Sequence, residues 1–386
     1  MKKTLSLIGL FVLSLLMLVG CNSEGGSSGA AATGNNQSEG PGSLPNQMTW
    51  SVYDVGTSGY AEMSAIANML TSEYNTRIRM LPSATGIGRM IPMKNGTASL
   101  AKLGDESQYA FEGLEEFSAL EWGPQDLRAV WSPIAHFGLG VRANDSFEKI
   151  EDLKGKKVPY FPGNISVNVK TEAMLAFGGL TWDDVEVIEL AAYGSQTDAL
   201  LQKKIDVVSG IPSGAIFFEA DSKGGIRWIE MAAENDEGWS RAREVAQWLF
   251  AEPRDDGAGM EGDVTLLGYG YSLVSYADQK NIKGVLEAMD ENFEQVKDTV
   301  PGAILYAKDR VLTDPIGIPF HDETVEFFKD QGLWDEEKQA KNDALVQRAN
   351  DLKAAWETVT DEAKKQGISK DEFSEYWLKR KAELVK

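Results

Sequence analysis

The feature that most constrains the fold of this chain is a strand, a loop of small residues and a helix that recur in that order. Residues 48–55 alternate apolar with polar side chains, as a strand does, and stop at a glycine-containing loop, residues 56–59. Residues 60–70 place alanine, isoleucine and methionine on one helical face. A second strand, residues 76–81, and a second small-residue loop, residues 82–88, follow. The repetition predicts an α/β fold with doubly wound, mostly parallel sheets.

The alternation continues along the chain. A helix is expected over residues 89–100 despite Pro92. After residue 144 the pattern predicts a helix over 146–154, a strand over 156–161, a helix over 167–177, a strand over 185–190, a helix over 195–203 and a strand over 205–209. Residues 268–275 are interpreted as one strand that returns to the first sheet. The chain is therefore expected to form two lobes flanked by helices.

The C-terminal part of the sequence is helical in pattern. Helices are predicted over residues 279–300, 342–359 and 370–386. Trp356 and Trp377 are expected to pack these helices onto the first lobe. The predicted division is a signal peptide (1–20), a flexible tether (21–47), lobe I with the C-terminal helices (46–135 plus 275–386) and lobe II (136–274).

The N-terminus has the pattern of an export signal. Two lysines are followed by residues 4–20, which carry no charge and are mostly apolar, and the run ends in Leu18-Val19-Gly20-Cys21. This ending resembles the bacterial lipobox, so lipidation of Cys21 is expected. An uncleaved anchor helix is the alternative, and either interpretation places the rest of the chain outside the cytoplasm.

Cysteine content and charge narrow the possible functions. Cys21 is the single cysteine of the 386 residues, so the folded part can hold no intramolecular disulfide and no cysteine-based metal centre. The formal net charge of -21 disfavours nucleic acid and anionic lipid surfaces as partners. The residues between Asn22 and Pro45 are small and polar, which is typical of a tether.

Several short motifs occur in the order seen in one receptor family. They are Gly56-Thr57-Ser58-Gly59-Tyr60, Pro82-Ser83-Ala84-Thr85-Gly86, Asp152-Leu-Lys-Gly-Lys-Lys-Val158 and Phe177-Gly-Gly-Leu-Thr-Trp-Asp-Asp-Val185. Together they resemble the TAXI family, the extracytoplasmic receptors of one class of tripartite ATP-independent periplasmic (TRAP) transporters. The resemblance implies a two-lobe type II periplasmic-binding-protein-like fold, a ligand of the glutamate kind and a TRAP membrane permease as partner. The second loop and residues 163–166 depart from the family pattern.

Helix N-termini at strand ends are the candidate binding sites. Their free N–H groups and positive dipole favour a carboxylate, and small polar residues add contacts. The candidates are Thr57, Ser58, Tyr60, Ser83, Thr85, Asn164, Ser166 and Asn168, with Arg89 as a bidentate partner for a ligand carboxylate. Each could instead be an N-cap or turn residue, and Arg89 a surface arginine. Aromatic residues Tyr160, Phe161, Tyr193 and Phe217 could line the cleft or belong to the core.

The sequence contains no enzyme motif in a suitable structural context. The chain has two histidines, His136 and His321, and lacks metalloprotease, P-loop and dinucleotide-binding motifs. Its Gly-x-Ser-x-Gly match, residues 25–29, lies in the tether, where the strand and helix of a nucleophile elbow are not expected. Asp183 and Asp184 at a helix start are interpreted as capping residues. No cofactor or metal is expected.

The sequence therefore predicts a lipid-anchored receptor that closes its lobes over a small organic anion and delivers it to a TRAP permease. A receptor of the same fold for an ATP-driven importer is the first alternative. A lipid-anchored hydrolase with an acidic site is the second alternative.

Overall fold

The computed structural model describes residues 44–385. The predicted signal peptide, the lipidation site Cys21 and most of the predicted tether lie outside the described residues. The strands are β1 (Gln47–Val52), β2 (Arg77–Pro82), β3 (Leu100–Leu103), β4 (Leu127–Trp131), β5 (Ile134–Arg142), β6 (Lys157–Tyr160), β7 (Glu186–Glu189), β8 (Val208–Gly210), β9 (Ile226–Trp228), β10 (Phe250–Arg254), β11 (Val264–Gly270) and β12 (Ser272–Tyr276).

Residues 44–385 contain twelve α-helices. They are α1 (Ser58–Tyr74), α2 (Gly86–Lys94), α3 (Glu106–Glu112), α4 (Ile165–Phe177), α5 (Gln196–Leu201), α6 (Ala215–Gly224), α7 (Asp236–Val245), α8 (Ile282–Glu291), α9 (Phe293–Val296), α10 (Asp322–Asp330), α11 (Glu336–Gln366) and α12 (Lys370–Leu384). None of the helices described here has the combined length and apolarity needed to span a bilayer.

The first lobe is built on a five-stranded sheet with the order β2-β1-β3-β12-β4. The pairs β1–β2 and β1–β3 are parallel, whereas β12 runs antiparallel to both β3 and β4. Trp50 and Val52 on β1 are fully buried, because helices cover the sheet and the strand contributes alternate residues to each covered face. This lobe holds the larger of the apolar cores.

The second lobe contains a sheet with the order β10-β11-β5-β8, with β9 also paired to β5, and a separate parallel pair β6–β7. The chain passes between the two lobe sheets twice, once at residues 132–133 between β4 and β5 and once at Tyr271 between β11 and β12. The expected two-lobe α/β fold is confirmed. Two short extended connections join the lobes.

Three local expectations are corrected by the structure. The helix predicted over residues 89–100 begins earlier, at Gly86, runs through Pro92 and ends at Lys94, because Gly96 has a left-handed backbone (φ 71°) and Leu100 belongs to β3. The single strand predicted over residues 268–275 is two strands, β11 and β12, in different sheets. The sheets are less parallel than expected, because the strands that cross between lobes run antiparallel to their neighbours.

The C-terminal helices α11 and α12 pack onto lobe I, as predicted from their tryptophans. Trp377 is fully buried, its ring lies 4.8 Å from that of Trp356, and its indole Nε1 donates to the Gly113 carbonyl at 2.7 Å. Next to it, the Glu112 carboxylate binds Lys381 at 2.7 Å and Arg348 at 2.9 Å. The C-terminal helices thus hold the end of α3.

We expect Trp377→Ala to lower the free energy of unfolding by about 3–5 kcal/mol, because it leaves a large cavity and an unpaired Gly113 carbonyl. Urea unfolding at equilibrium measures this change. The matched control is Leu378→Ala on the same helix, whose side chain is 40% exposed and should change stability by no more than about 0.5 kcal/mol. Equal effects of the two substitutions would contradict the anchoring role.

Candidate functional site

A cleft of 590 Å³ lies between the two lobes. Lobe I contributes the loop after β1 and the loop before α2, and lobe II contributes the loops that precede α4 and α6. Tyr269 and Tyr271, at the β11–β12 crossover, line the same cleft. The volume lies within the range of about 300–1,000 Å³ that is usual for small-molecule sites. The cleft is the candidate binding site.

Four helices begin at the cleft, two from each lobe: α1, α2, α4 and α6. Thr57, Thr85 and Asn164 are the N-cap residues of α1, α2 and α4, and their side chains accept one backbone N–H each, from Tyr60 at 3.2 Å, Gly88 at 3.0 Å and Val167 at 3.2 Å respectively. The N-cap of α6 is Gly214, which has no capping side chain. The first turn of a helix has several N–H groups without intrahelical partners, and a cap satisfies only part of them. The remaining N–H groups can donate to an anion in the cleft.

Five of the predicted binding residues line the cleft: Thr57, Ser58, Thr85, Asn164 and Ser166. Their positions at or next to the N-caps explain why strand-loop-helix patterns in the sequence pointed to them. The other predicted residues, Tyr60, Ser83, Arg89 and Asn168, are not among the lining residues.

Arg89 is fully buried beneath the wall of the cleft. Its guanidinium binds the Glu106 carboxylate at 2.6 Å and the Ser83 carbonyl at 2.9 Å, and lies 3.6 Å from the centre of the Tyr53 ring. Burial, the largest single influence, would raise the pKa of Glu106, but the positive charges of Arg89 and Lys170 and hydrogen bonds from the backbone and Tyr53 together hold that pKa below its usual value. Arg89 therefore has an internal carboxylate as its partner.

The remaining three residues have local roles. Asn168 is buried, and its side chain accepts from the Phe161 N–H at 2.9 Å and donates to the Phe161 carbonyl at 2.8 Å, which fixes the loop before α4. Ser83 accepts weakly from the Thr85 N–H at 3.4 Å. Tyr60 packs against the apolar core of lobe I. These contacts hold the loops that frame the cleft.

A buried ion pair between the lobes was not predicted. Lys170 on α4 of lobe II lies 2.7 Å from the carboxylate of Asp105, which precedes α3 in lobe I, and the two side chains are 2% and 1% exposed. The ammonium also donates to the Ser166 hydroxyl at 2.7 Å and lies over the Tyr269 ring. Burial raises the pKa of Asp105, and Lys170 opposes that rise. The sequence feature that could have indicated this ion pair is a lysine four residues after the candidate binding residue Ser166.

A third buried pair lies under the crossover. Lys102 is 3.9 Å from the Glu62 carboxylate, donates to the Tyr271 carbonyl and is fully buried. Burial lowers the pKa of Lys102 to about 7, against the attraction of Glu62. Lys170, Arg89 and Lys102 each lie beside a carboxylate of the protein itself. The buried charges around the cleft are thus compensated internally.

Aromatic rings form much of the cleft wall. Phe161 and Tyr193, two of the four aromatic candidates, line it together with Phe137, Tyr269 and Tyr271. Burial raises the pKa of Tyr269 and Tyr271 well above 10, so both hydroxyls stay neutral.

The other two aromatic candidates belong to packing outside the cleft. Tyr160 contacts Trp182 and Phe217 contacts Trp228.

Both histidines are buried, and burial lowers the pKa of His136 to about 4. Among residues 44–385, no group of three or more His, Cys, Asp or Glu side chains is arranged to hold a metal ion.

We expect Lys170→Met to lower the free energy of unfolding by about 3–5 kcal/mol, since the buried Asp105 carboxylate loses its counter-charge. The double variant Lys170→Met with Asp105→Asn should recover much of that loss, because no charge is then left unpaired. A double-mutant cycle by urea unfolding measures the coupling. Additive effects would show that the pair contributes no coupling between the lobes.

Solved structures of other proteins resemble this fold only remotely. SsuA, the periplasmic aliphatic sulphonate binding protein from Escherichia coli, is 16% identical, with 75% of this chain and 89% of that chain covered and a TM-score of 0.42. The alkanesulfonate-binding protein SsuA from Xanthomonas axonopodis pv. citri, bound to MOPS, is 14% identical, with 79% and 98% covered and a TM-score of 0.43.

The GluR0 ligand-binding core from Nostoc punctiforme, in complex with L-glutamate, is 15% identical, with 66% of this chain and 99% of that chain covered and a TM-score of 0.40. These sequence identities and TM-scores are too low to indicate what this chain binds. A search of the curated proteins finds no match.

A sequence-family model gives the assignment. It matches residues 54–332, which include the cleft loops of both lobes and end before α11 and α12. The expectation of a binding receptor rather than an enzyme is confirmed at the level of this family. By this match over most of its length, the chain belongs to the NMT1-like family.

Proposed function

We propose that this protein is an extracytoplasmic solute-binding receptor whose two lobes close over a small organic carboxylate. The observation that carries the proposal is the 590 Å³ cleft between the lobes, at which helices from both lobes begin. A ligand between them would contact both lobes at once. Binding energy would therefore favour the closed arrangement, as in hinge-type receptors.

The chemistry of the cleft favours a carboxylate over a cation or a neutral sugar. Helix N-termini present N–H donors and a partial positive charge, both of which stabilise an anion. Thr57, Ser58, Asn164 and Ser166 add neutral polar groups at the same places. The net charge of -21 repels anions at long range, so recognition must come from these local donors.

The predicted residues that line the cleft are proposed as ligand contacts: Thr57, Ser58, Thr85, Asn164 and Ser166. We propose Tyr60, Ser83, Arg89 and Asn168 as supports for the loops that carry those contacts, because their side chains lie outside the lining or bond to the backbone. We propose that the two lobes are the moving units, with the division at the crossovers, residues 132–133 and Tyr271, a few residues before the predicted bounds 136 and 274.

We propose delivery to a membrane permease and lipid anchoring on sequence patterns alone. The lipobox at Cys21 supports a lipid anchor with the receptor outside the cytoplasm, and the resemblance to TAXI receptors supports delivery to a TRAP permease. An ATP-driven importer is the alternative partner. A neighbouring gene for a fused TRAP permease would support the first partner, and a neighbouring ATPase gene would support the second.

The experiment that tests the function is thermal unfolding of ligand-free protein with a panel of amino acids, oxo acids, simple carboxylates and sugars. We expect a saturable rise in melting temperature with one or more carboxylates, because a ligand that binds only the folded state stabilises it. The compounds should be recovered chemically unchanged. A rise with sugars alone would contradict the carboxylate assignment, and turnover of a compound would contradict the receptor assignment.

A charge placed at the N-terminus of α6 should separate binding from folding. Ala215 is the first residue of α6, is exposed and lines the cleft. We expect Ala215→Asp to weaken carboxylate binding about tenfold or more by repulsion, which corresponds to about 1.4 kcal/mol or more. An acidic residue in the first turn of a helix stabilises it, so the melting temperature without ligand should stay equal or rise.

The matched control is Ala215→Asn, which has nearly the same shape as the aspartate variant and no charge. Its affinity should remain within about threefold of the unmodified protein. Titration calorimetry on both variants measures the difference. Equal losses in the two variants would mean that size, not charge, disturbs the site, and would contradict anion recognition at α6.

A further inference from the structure

Resting on the proposed function, we infer that the ligand is a carboxylate with a single negative charge and an apolar body, rather than an acid of the glutamate kind. The charges in the cleft wall and the side chains that would surround the rest of the ligand both favour such an acid.

Charged side chains in the described lining are few. They are Asp54 in the loop before α1 and Lys170 on α4. Lys170 is 2% exposed and already paired with Asp105, so it is not free to neutralise a ligand group. Asp54 is exposed, and its Oδ1 accepts from the neighbouring Val55 N–H at 3.0 Å. The described lining therefore contains no cationic side chain that lacks a carboxylate partner.

The helix termini and Asp54 together set the charge that the cleft can compensate. Each N-terminus is equivalent to about half a positive charge, so the four termini contribute roughly two positive charges. Asp54, which is exposed, opposes part of this positive charge and repels a second carboxylate on the ligand. The cleft is therefore better suited to one carboxylate than to two. A second carboxylate of a glutamate-like acid would be buried beside no unpaired cationic side chain of the described lining, which is costly.

A charged amino group on the ligand would lack a free buried carboxylate as its partner. A buried ammonium needs a carboxylate, and the buried carboxylates near the cleft are taken by Arg89, Lys102 and Lys170. Asp54 could reach an ammonium only at the exposed rim. The cleft is therefore poorly suited to a fully enclosed zwitterion.

Apolar side chains surround the remaining space. On the lobe II side these are Phe137, Phe161, Ile211, Ala215 and Ile216, and on the lobe I side Val55 and Ala84. Val55 is 66% exposed and lines the cleft, so it is available for contact with a ligand. Lobe closure over an apolar ligand body would cover these groups together. The wall thus favours an alkyl or aromatic substituent on the bound acid.

The test is a titration series on ligand-free protein with butanoate, pentanoate, hexanoate and 3-phenylpropanoate, beside glutamate and 2-oxoglutarate. At constant charge we expect the affinity to rise about fourfold per added methylene, the equivalent of about 0.8 kcal/mol. Hexanamide, which lacks the charge, should bind at least about tenfold more weakly than hexanoate.

A matched pair of variants tests the apolar wall itself. Ile216 is the second residue of α6, is partly exposed and lines the cleft. We expect Ile216→Ser to weaken hexanoate about tenfold with a smaller effect on butanoate, and Ile216→Val to stay within about threefold. A purely structural role for Ile216 would weaken both acids equally, and that result would overturn the inference.

The outcomes distinguish the inference from the proposed function. Tighter binding of glutamate or 2-oxoglutarate than of hexanoate would overturn the inference and leave the carboxylate receptor intact. Equal binding of hexanamide and hexanoate would overturn both the single-charge inference and anion recognition. Binding of none of the acids would overturn the proposed function and the inference with it.

Discussion

The ion pair between Lys170 and Asp105 is the interaction on which the cleft depends. It joins α4 of lobe II to the start of α3 in lobe I at 2.7 Å, with both groups almost fully removed from solvent. Two such charges lose their hydration on burial, so each is stable there only while the other remains in contact. The same ammonium binds Ser166 at the cleft wall. The position of α4 relative to lobe I is thereby tied to the wall that a ligand would contact.

Helix α3 links this pair to the rest of the molecule. At its N-terminal end, Asp105 binds Lys170 and Glu106 binds Arg89, while at its C-terminal end Glu112 binds α11 and α12 through Arg348 and Lys381. The two C-terminal helices follow the region matched by the family model. Their contacts stabilise a seven-residue helix that would be marginal alone, because short helices gain most of their stability from tertiary packing. Residues far from the cleft thus contribute to its geometry.

The pairing of the buried charges determines which groups of the protein remain available to bind a ligand. Because Arg89, Lys102 and Lys170 are each held beside a carboxylate of the protein, the positive character available to a ligand comes from backbone N–H groups. Backbone donors at helix ends are fixed in direction and need no side-chain ordering on binding. A binding protein with a net charge of -21 can in this way favour a carboxylate locally without a free cationic side chain in the described cleft wall.

Local sequence patterns correctly indicated the α/β class, the loops at which helices begin and five residues of the cleft lining, because strand and helix periodicity and N-cap preferences are local properties. They could not show that Arg89 would lie beside Glu106, seventeen positions along the chain, or that Lys170 would meet Asp105 from the other lobe. The sequence pattern also predicted one strand where the structure has two, β11 and β12, since both are apolar and only their pairing partners differ. Tertiary structure decided which polar residues face the cleft and which charges neutralise one another, because burial and ion pairing depend on contacts between segments distant in sequence.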